Sequence, residues 1–260
     1  MNSINTENLS ISYGNLDIVK DLNLNIPKGK ITTIIGANGC GKSTILKSIA
    51  RILQAKSGAI YINGRNIQSE SSKEIAKVMA VLPQGPQAPK GLTVEELVAY
   101  GRFPHQSGFG KIHKEDREII NWAIEVIGMT EYKERPIEAL SGGQRQRVWI
   151  AMALAQETEI LLLDEPTTYL DLTHQLEILK LLEELNKKQG RTIVMVIHEL
   201  NNAARFADYM VGVKDGKIVC HGNPEYVMTK ENLKNIFNID AEVVKDPRNN
   251  KPVCITYDLI

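Results

Sequence analysis

Nine residues constrain this chain more than any others: Gly36-Ala37-Asn38-Gly39-Cys40-Gly41-Lys42-Ser43-Thr44. They follow a β-branched apolar run, Ile31-Thr32-Thr33-Ile34-Ile35, and precede Ile45-Leu46-Lys47-Ser48-Ile49-Ala50, whose composition suits a helix. The spacing GxxxxGK[ST] therefore falls on a strand, a glycine-rich turn and a helix start, the setting in which it cradles phosphate. Glycines let the backbone curl its N–H groups into an anion-binding nest. The helix behind the nest presents roughly half a unit of positive charge. Lys42 adds a full charge for the β- and γ-phosphates, and Ser43 offers a hydroxyl to Mg²⁺. At average residue frequencies a chain of this length meets the pattern by chance roughly one time in a hundred. The flanking elements lower those odds, so the segment predicts binding of a nucleoside triphosphate.

A chain of 260 residues can bury about three-quarters of its unfolded surface, enough for one large domain or a domain with a subdomain. Lys plus Arg and Asp plus Glu both number 31. That balance supplies no general electrostatic pull toward nucleic acid, and no nucleic-acid partner is expected. No apolar run approaches the roughly 18 residues that span a bilayer. Met1-Asn2-Ser3-Ile4-Asn5 lacks the charged and apolar pattern of a signal segment, so a cytosolic chain is expected. Cys40, Cys220 and Cys254 are scattered and odd in number, which suits neither a disulfide framework nor a metal site. Cys40 reads as a small residue that fits its loop.

Residues 9–13 and 18–26 have the texture of two strands joined by a turn at Gly14-Asn15, with Leu22, Leu24 and Ile26 pointing inward. Residues 59–64 predict a strand ending in an Asn-Gly turn, and residues 78–82 a short buried strand stopping at Pro83-Gln84. The texture then becomes helical. Thr93-Val94-Glu95-Glu96 is a capping box opening a helix that runs to Tyr100. A linker is expected over 101–110, and helices over 114–127 and 141–154. Strand texture returns at 160–163, followed by a helix at 176–189 and a strand at 192–197. Residues 209–213 and 217–219 form a hairpin about Asp215-Gly216; residues 224–239 read as helical and the tail as irregular. Continuous apolar strands alternating with helices mean an α/β fold with a parallel sheet covered on both faces.

Four aliphatic residues, Ile160 to Leu163, precede Asp164-Glu165-Pro166. In a doubly wound sheet, ligands sit beyond the carboxyl ends of the strands. Asp164 is thereby expected near the γ-phosphate as a Mg²⁺ ligand, and Glu165 as a general base toward water. His198 follows a second apolar strand in the same way and is read as a γ-phosphate contact.

Leu140-Ser141-Gly142-Gly143-Gln144 looks like a second anion site. Ser141 can cap the helix that follows, and the two glycines allow close backbone approach. One chain does not need two anion sites for one nucleotide. A symmetric dimer explains both, each chain's second site closing over its partner's nucleotide.

With these motifs the chain resembles the ATP-binding cassette (ABC) ATPases over nearly its whole length. The implied fold is that of a P-loop NTPase. It has a RecA-like parallel core with an N-terminal antiparallel β region (1–84 and 158–260) and an inserted helical subdomain (85–157), making one ABC ATPase domain over 1–260. Within the resemblance, Tyr13 matches the aromatic that stacks on adenine. Gly36 to Thr44 matches the Walker A loop. Gln84 matches the Q-loop glutamine, which senses Mg²⁺ and the attacking water and lies near the membrane partner. Ser141, Gly142, Gly143 and Gln144 match the signature, Asp164 and Glu165 the Walker B end, Asp171 the D-loop, and His198 the switch histidine. Lys42, Gln84, Glu165 and His198 are thus the catalytic set, and Ser43, Gln84 and Asp164 the Mg²⁺ set. Tyr169 departs from the pattern, standing where many members carry a small residue.

Residues 97–105, 164–175 and 198–203 and the tail at 246–254 are similar to importers of iron–siderophore complexes, haem and vitamin B12. That resemblance implies a homodimer that closes on two ATP and two Mg²⁺ at the cytoplasmic face of the membrane. Closure would pull on a separate permease dimer served by a substrate-binding lipoprotein. Arg102-Phe103-Pro104-His105 is read as a docking surface for the permease. Three other readings stand beside this one: an exporter cassette, a soluble ABC ATPase acting on ribosomes or DNA, and a nucleotide-binding module without turnover. The cargo is not legible in the residues, because the ATPase never touches it.

Overall fold

The computed structural model describes residues 2–106, 112–168 and 170–260; Tyr169 and part of the linker expected at 101–110 lie outside them. The chain divides into two compact units, Met1–Glu70 with Leu185–Ile260, and Ser71–Glu184. The second unit holds two strands of the parallel type besides its helices. No helix among the described residues is long and apolar enough to cross a membrane.

In the first unit, Ile31–Ile35 is buried at every position. It pairs in parallel with Thr192–Val196 on one side and Tyr209–Lys214 on the other. A strand covered on both faces has no polar side, which is why these runs are continuous rather than alternating. Each fully buried aliphatic side chain contributes about 1.5–3 kcal/mol relative to exposure. Lys217–Gly222 closes the edge antiparallel, through a turn with Asp215 at φ 49° and Gly216 at φ 71°. A separate antiparallel sheet is built on Asn2–Tyr13, which pairs with Leu16–Leu22, Asn25–Pro27 and Ser57–Ile62. The alternation read at Leu22, Leu24 and Ile26 holds, all three being buried. The run is broken where Asp21 adopts φ 51° and accepts from the Asn23 side chain at 3.1 Å.

In the second unit, Met79–Leu82 pairs in parallel with Ile160–Asp164. Helices Val94–Ala99, Lys114–Val126 and Gly142–Ala155 pack together, and Leu97, Val98, Ile120, Ile124, Val148 and Ala151 on them are buried. The capping box at Thr93 forms, with Glu96 reaching back to the Thr93 N–H at 2.8 Å.

Two expectations change. The tail is a hairpin, Ile239–Lys245 with Pro252–Leu259. Its turn is held by Asp246, whose Oδ1 accepts from Arg248 N at 2.9 Å and whose carbonyl accepts from Asn250 N at 2.8 Å. The Asn201 amide brackets the Cys254 backbone at 2.9 and 3.0 Å, standing in for a strand neighbour. Few residues of the hairpin are buried, so its sequence carries no clear alternation.

The second change concerns Arg102, expected on a docking surface. A Cβ on Gly101 would stand 2.2 Å from the Met152 carbonyl oxygen, so the chain here lies against the helix Gly142–Ala155. This approach carries Arg102 inside, to 5% exposure. Its Nε donates to Asp116 at 2.8 Å, and its Nη1 to the Ala155 carbonyl and Glu157, both at 2.8 Å. Arg102 therefore ties three segments together, while Phe103 and His105 stay exposed.

Burial pushes the Asp116 carboxyl up. The Arg102 guanidinium and the His113 N–H pull it further down, leaving it below its ordinary value. The pair's contribution is therefore present at neutral pH and lost as pH falls through the lowered value. Arg102→Ala leaves Asp116 buried without its cation and is expected to lower stability by about 3–5 kcal/mol, measured by chemical denaturation at pH 7. The difference from the parent should shrink in acid.

Candidate functional site

The glycine-rich loop over residues 36–44 grows directly from the buried strand Ile31–Ile35. Gly36 has φ 154°, and a Cβ there would meet the Val213 carbonyl oxygen at 2.2 Å and Cys40 Sγ at 2.7 Å. Gly41, at φ 105°, is the residue before the helix Lys42–Ile49. Lys42 is 5% exposed, and its Nζ donates to the carbonyls of Gly36 at 2.9 Å and Ala37 at 3.0 Å. The loop is thus wound around its own ammonium group. Cys40 is buried within it, and burial pushes its thiol up, which keeps it a packing group.

Two neighbours clamp the loop. The Gly216 N–H donates to the Cys40 carbonyl at 2.9 Å. A Cβ on Gly216 would stand 1.8 Å from the Ile18 carbonyl oxygen, and one on Gly41 would meet Val19 and Ile18 at 3.4 and 3.5 Å. The hairpin Asn2–Tyr13 and Leu16–Leu22 therefore lies beside the loop. It carries Tyr13, half exposed, at its end.

Strand register sets the height of the remaining groups. In the first unit Ile34 pairs with Val196. Gly36 and His198 each lie two residues further on, so they leave the sheet at one level, with His198 exposed. In the second unit Leu82 pairs with Leu163. Gln84 and Glu165 again lie two residues on, and here the side chains meet: Gln84 Nε2 donates to Glu165 Oε2 at 2.6 Å. Thr168 Oγ1 donates to the same oxygen at 2.9 Å. Glu165 adopts φ 53°, a left-handed conformation rare outside glycine, which costs of order 1–3 kcal/mol and is over-determined here by these bonds. Asp164 before it is buried.

Ser141 caps the helix Gly142–Ala155, its Oγ accepting from Gln144 N at 3.2 Å. Gln144 Oε1 returns the bond to Ser141 N at 3.0 Å, a full capping box. Open space surrounds the Cβ direction of Gly142. Asp171 lies just before the helix Leu172–Gln189 and accepts at one oxygen from the His174 N–H at 2.9 Å and from its ring at 2.7 Å. These bonds hold the Asp171 carboxyl below its usual range.

The structure thus gathers the expected residues into two groups. Tyr13, residues 36–44 and His198 belong to the first unit; Gln84, Asp164, Glu165, residues 141–144 and Asp171 belong to the second. Sequence reasoning missed Thr168, His174 and Gly216. The first two stand three residues after Glu165 and Asp171, a spacing that permits such bonds. Gly216 gave only a turn signal.

The family model described as ABC transporter matches residues 19–168. The chain is 68% identical over 260 residues to the iron(3+)-hydroxamate import ATP-binding protein FhuC of Bacillus subtilis (strain 168), covering 100% of this chain and 97% of that one. A solved ABC transporter in an inward-facing conformation superposes with TM-score 0.83 at 28% identity, covering 98% of each chain. The dimeric post-hydrolysis state of the ATP-binding cassette MJ0796 with ADP and phosphate superposes with TM-score 0.75 at 29% identity, covering 85% of this chain and 98% of that one.

Gly216→Ala forces its Cβ into the Ile18 carbonyl and shifts the clamp on the loop. An overpacking cost of about 1–3 kcal/mol should lower the melting temperature by about 5 °C. Fluorescent ATP-analogue titration should show weaker binding than in the parent.

Proposed function

The chain belongs to the ABC transporter family, and from that premise we propose that it is the ATP-hydrolysing subunit of an importer for iron(3+)-hydroxamate or a closely similar ferric chelate. The hydrolytic part rests on one observation, the Glu165 carboxylate held by Gln84 and Thr168 beyond a buried strand. The cargo part rests on the full-length likeness to FhuC.

In this reading Tyr13 stacks on the base, and the backbone N–H groups of Gly36, Ala37, Asn38, Gly39, Cys40, Gly41, Lys42, Ser43 and Thr44 surround the phosphates. Lys42 exchanges its two carbonyl partners for phosphate oxygens, which keeps the ammonium bonded throughout. Ser43 in the first unit and Asp164 and Gln84 in the second offer hard oxygen donors with a single carboxylate, and these are the residues that would serve Mg²⁺. Held by these donors, the ion would neutralise triphosphate charge. Glu165 takes a proton from the attacking water, and His198 donates to the γ-phosphate. Most of the rate comes from positioning and charge stabilisation rather than covalent chemistry.

Residues 141–144 and Asp171 serve a second copy of the chain. Ser141 and the first turn of its helix close on the partner's nucleotide. The pair works peripherally at the cytoplasmic face on a permease dimer, fed by a substrate-binding lipoprotein.

Glu165→Gln removes the base while keeping a partner for Gln84 and Thr168. Its kcat for ATP should fall by about 10²–10⁴ with ATP binding retained. Parent turnover in a phosphate-release assay would overturn the catalytic role. Uptake of radiolabelled iron hydroxamate should be restored by the parent in cells lacking their own import ATPase, and should fail with the variant. Restoration of a different cargo alone would overturn the hydroxamate reading.

A further inference from the structure

Two helices meet at their N-terminal ends in the second unit, Gly142–Ala155 and Leu172–Gln189. The His174 ring lies against Gly143. A Cβ built on Gly143 would stand 3.1 Å from ring Cδ2 and 3.3 Å from Cγ, so the ring occupies the space a side chain would need. One turn further along both helices, Arg147 pairs with Glu177. The contact is therefore a two-point seam, a ring on a glycine followed by an ion pair.

The ring is fixed from the other side as well. Its Nδ1 is 2.7 Å from Asp171 Oδ1, and the same oxygen accepts the His174 backbone N–H at 2.9 Å. A carboxylate at Asp171 requires Nδ1 to carry the proton. The opposite edge of the ring, Cδ2 and Nε2, then faces Gly143. Gly143 is itself held between Ser141 and Gln144, which bond each other reciprocally. Bonds and packing thus run without a gap from Asp171 through His174 to Gly143 and Ser141.

We infer that His174 is a positioning residue, locking the Ser141–Gln144 turn to the Asp171 segment so that both engage a second copy of the chain as one body. This rests on the proposed role of those two segments in closing over the partner's nucleotide. The physical argument is orientational. A helix N-terminus stabilises an anion only when its N–H groups are aimed at it, and a misplacement of about 1 Å can cost 10²-fold in rate. A flat ring of fixed tautomer against a residue without a side chain sets that aim from the neighbouring helix.

The test compares His174→Ala with the parent and places it in the Glu165→Gln background. Alanine keeps the backbone N–H that caps on Asp171, so the helix start is preserved. The expected result is an approximately 10-fold lower kcat for ATP, with unchanged affinity of the single chain for a fluorescent ATP analogue and an unchanged melting temperature. Dimer formation with ATP and Mg²⁺ by Glu165→Gln/His174→Ala, read by light scattering, should need roughly 10-fold more ATP than Glu165→Gln alone. His174→Asn retains a donor for Asp171 but no ring on Gly143, and should behave like His174→Ala. Parent-like turnover and dimerisation by His174→Ala would overturn the inference. So would a lowered melting temperature accompanied by equally weakened single-chain binding, which would mark a merely structural role. If Glu165→Gln alone forms no dimer with ATP, the dimer reading falls, and the inference with it.

Discussion

Parallel strand register is the constraint on which the rest of this protein depends. In each unit a buried pair of parallel strands ends level, Ile34 with Val196 and Leu82 with Leu163. Each strand carries a candidate site residue two positions beyond its paired end: Gly36 and His198 in one unit, Gln84 and Glu165 in the other. A slip of one residue would turn every side chain to the opposite face, and with it the Gln84–Glu165 bond. The apolar runs are therefore more than core. The pairing they make sets the height of polar groups outside the sheet.

Around that frame the loops are held by close backbone approach rather than by large side chains. Gly36 faces the Val213 carbonyl, Gly216 the Ile18 carbonyl, and Gly101 the Met152 carbonyl, each too near for a Cβ. Two of these three contacts fix the glycine-rich loop that follows Ile35. The third brings Arg102 into the interior, where its cation is compensated by Asp116, Glu157 and a carbonyl. Lys42 shows the same economy. Its ammonium is buried yet bonded to the loop that it serves, which avoids the cost of an unpaired buried charge.

Glu165 combines strain with restraint. Its left-handed backbone would be disfavoured in isolation. Gln84 and Thr168 bond one of its carboxylate oxygens, and the buried strand before it leaves little alternative. A carboxylate aimed in this way is suited to take a proton from one direction. The Asp171 segment follows the same logic with milder means, one oxygen capping a helix and orienting an imidazole ring together.

Much of this was legible in the residues. The motif from Gly36 to Thr44, the apolar runs before Asp164 and His198, and the capping residues Thr93 and Ser141 are each written in a short stretch of chain. Local physics leaves a local trace, and the sequence alone determined the α/β class and singled out the glycine-rich loop and the candidate catalytic residues. The tertiary structure decided what depends on residues distant in the chain. Arg102 read as a surface cation because its partners are 14 and 55 positions away. Gly216 read only as a turn because the atom that excludes a side chain belongs to Ile18. The tail read as irregular because its strands are bracketed by Asn201 and largely exposed on the other side. The spacing of His174 from Asp171 permits their bonds, but its contact with Gly143 carried no signal, since a glycine that accommodates an imidazole ring looks in sequence like any glycine at a helix start. Packing specificity of this kind arises only when separate segments are brought within a few ångströms, and a linear pattern does not encode that distance.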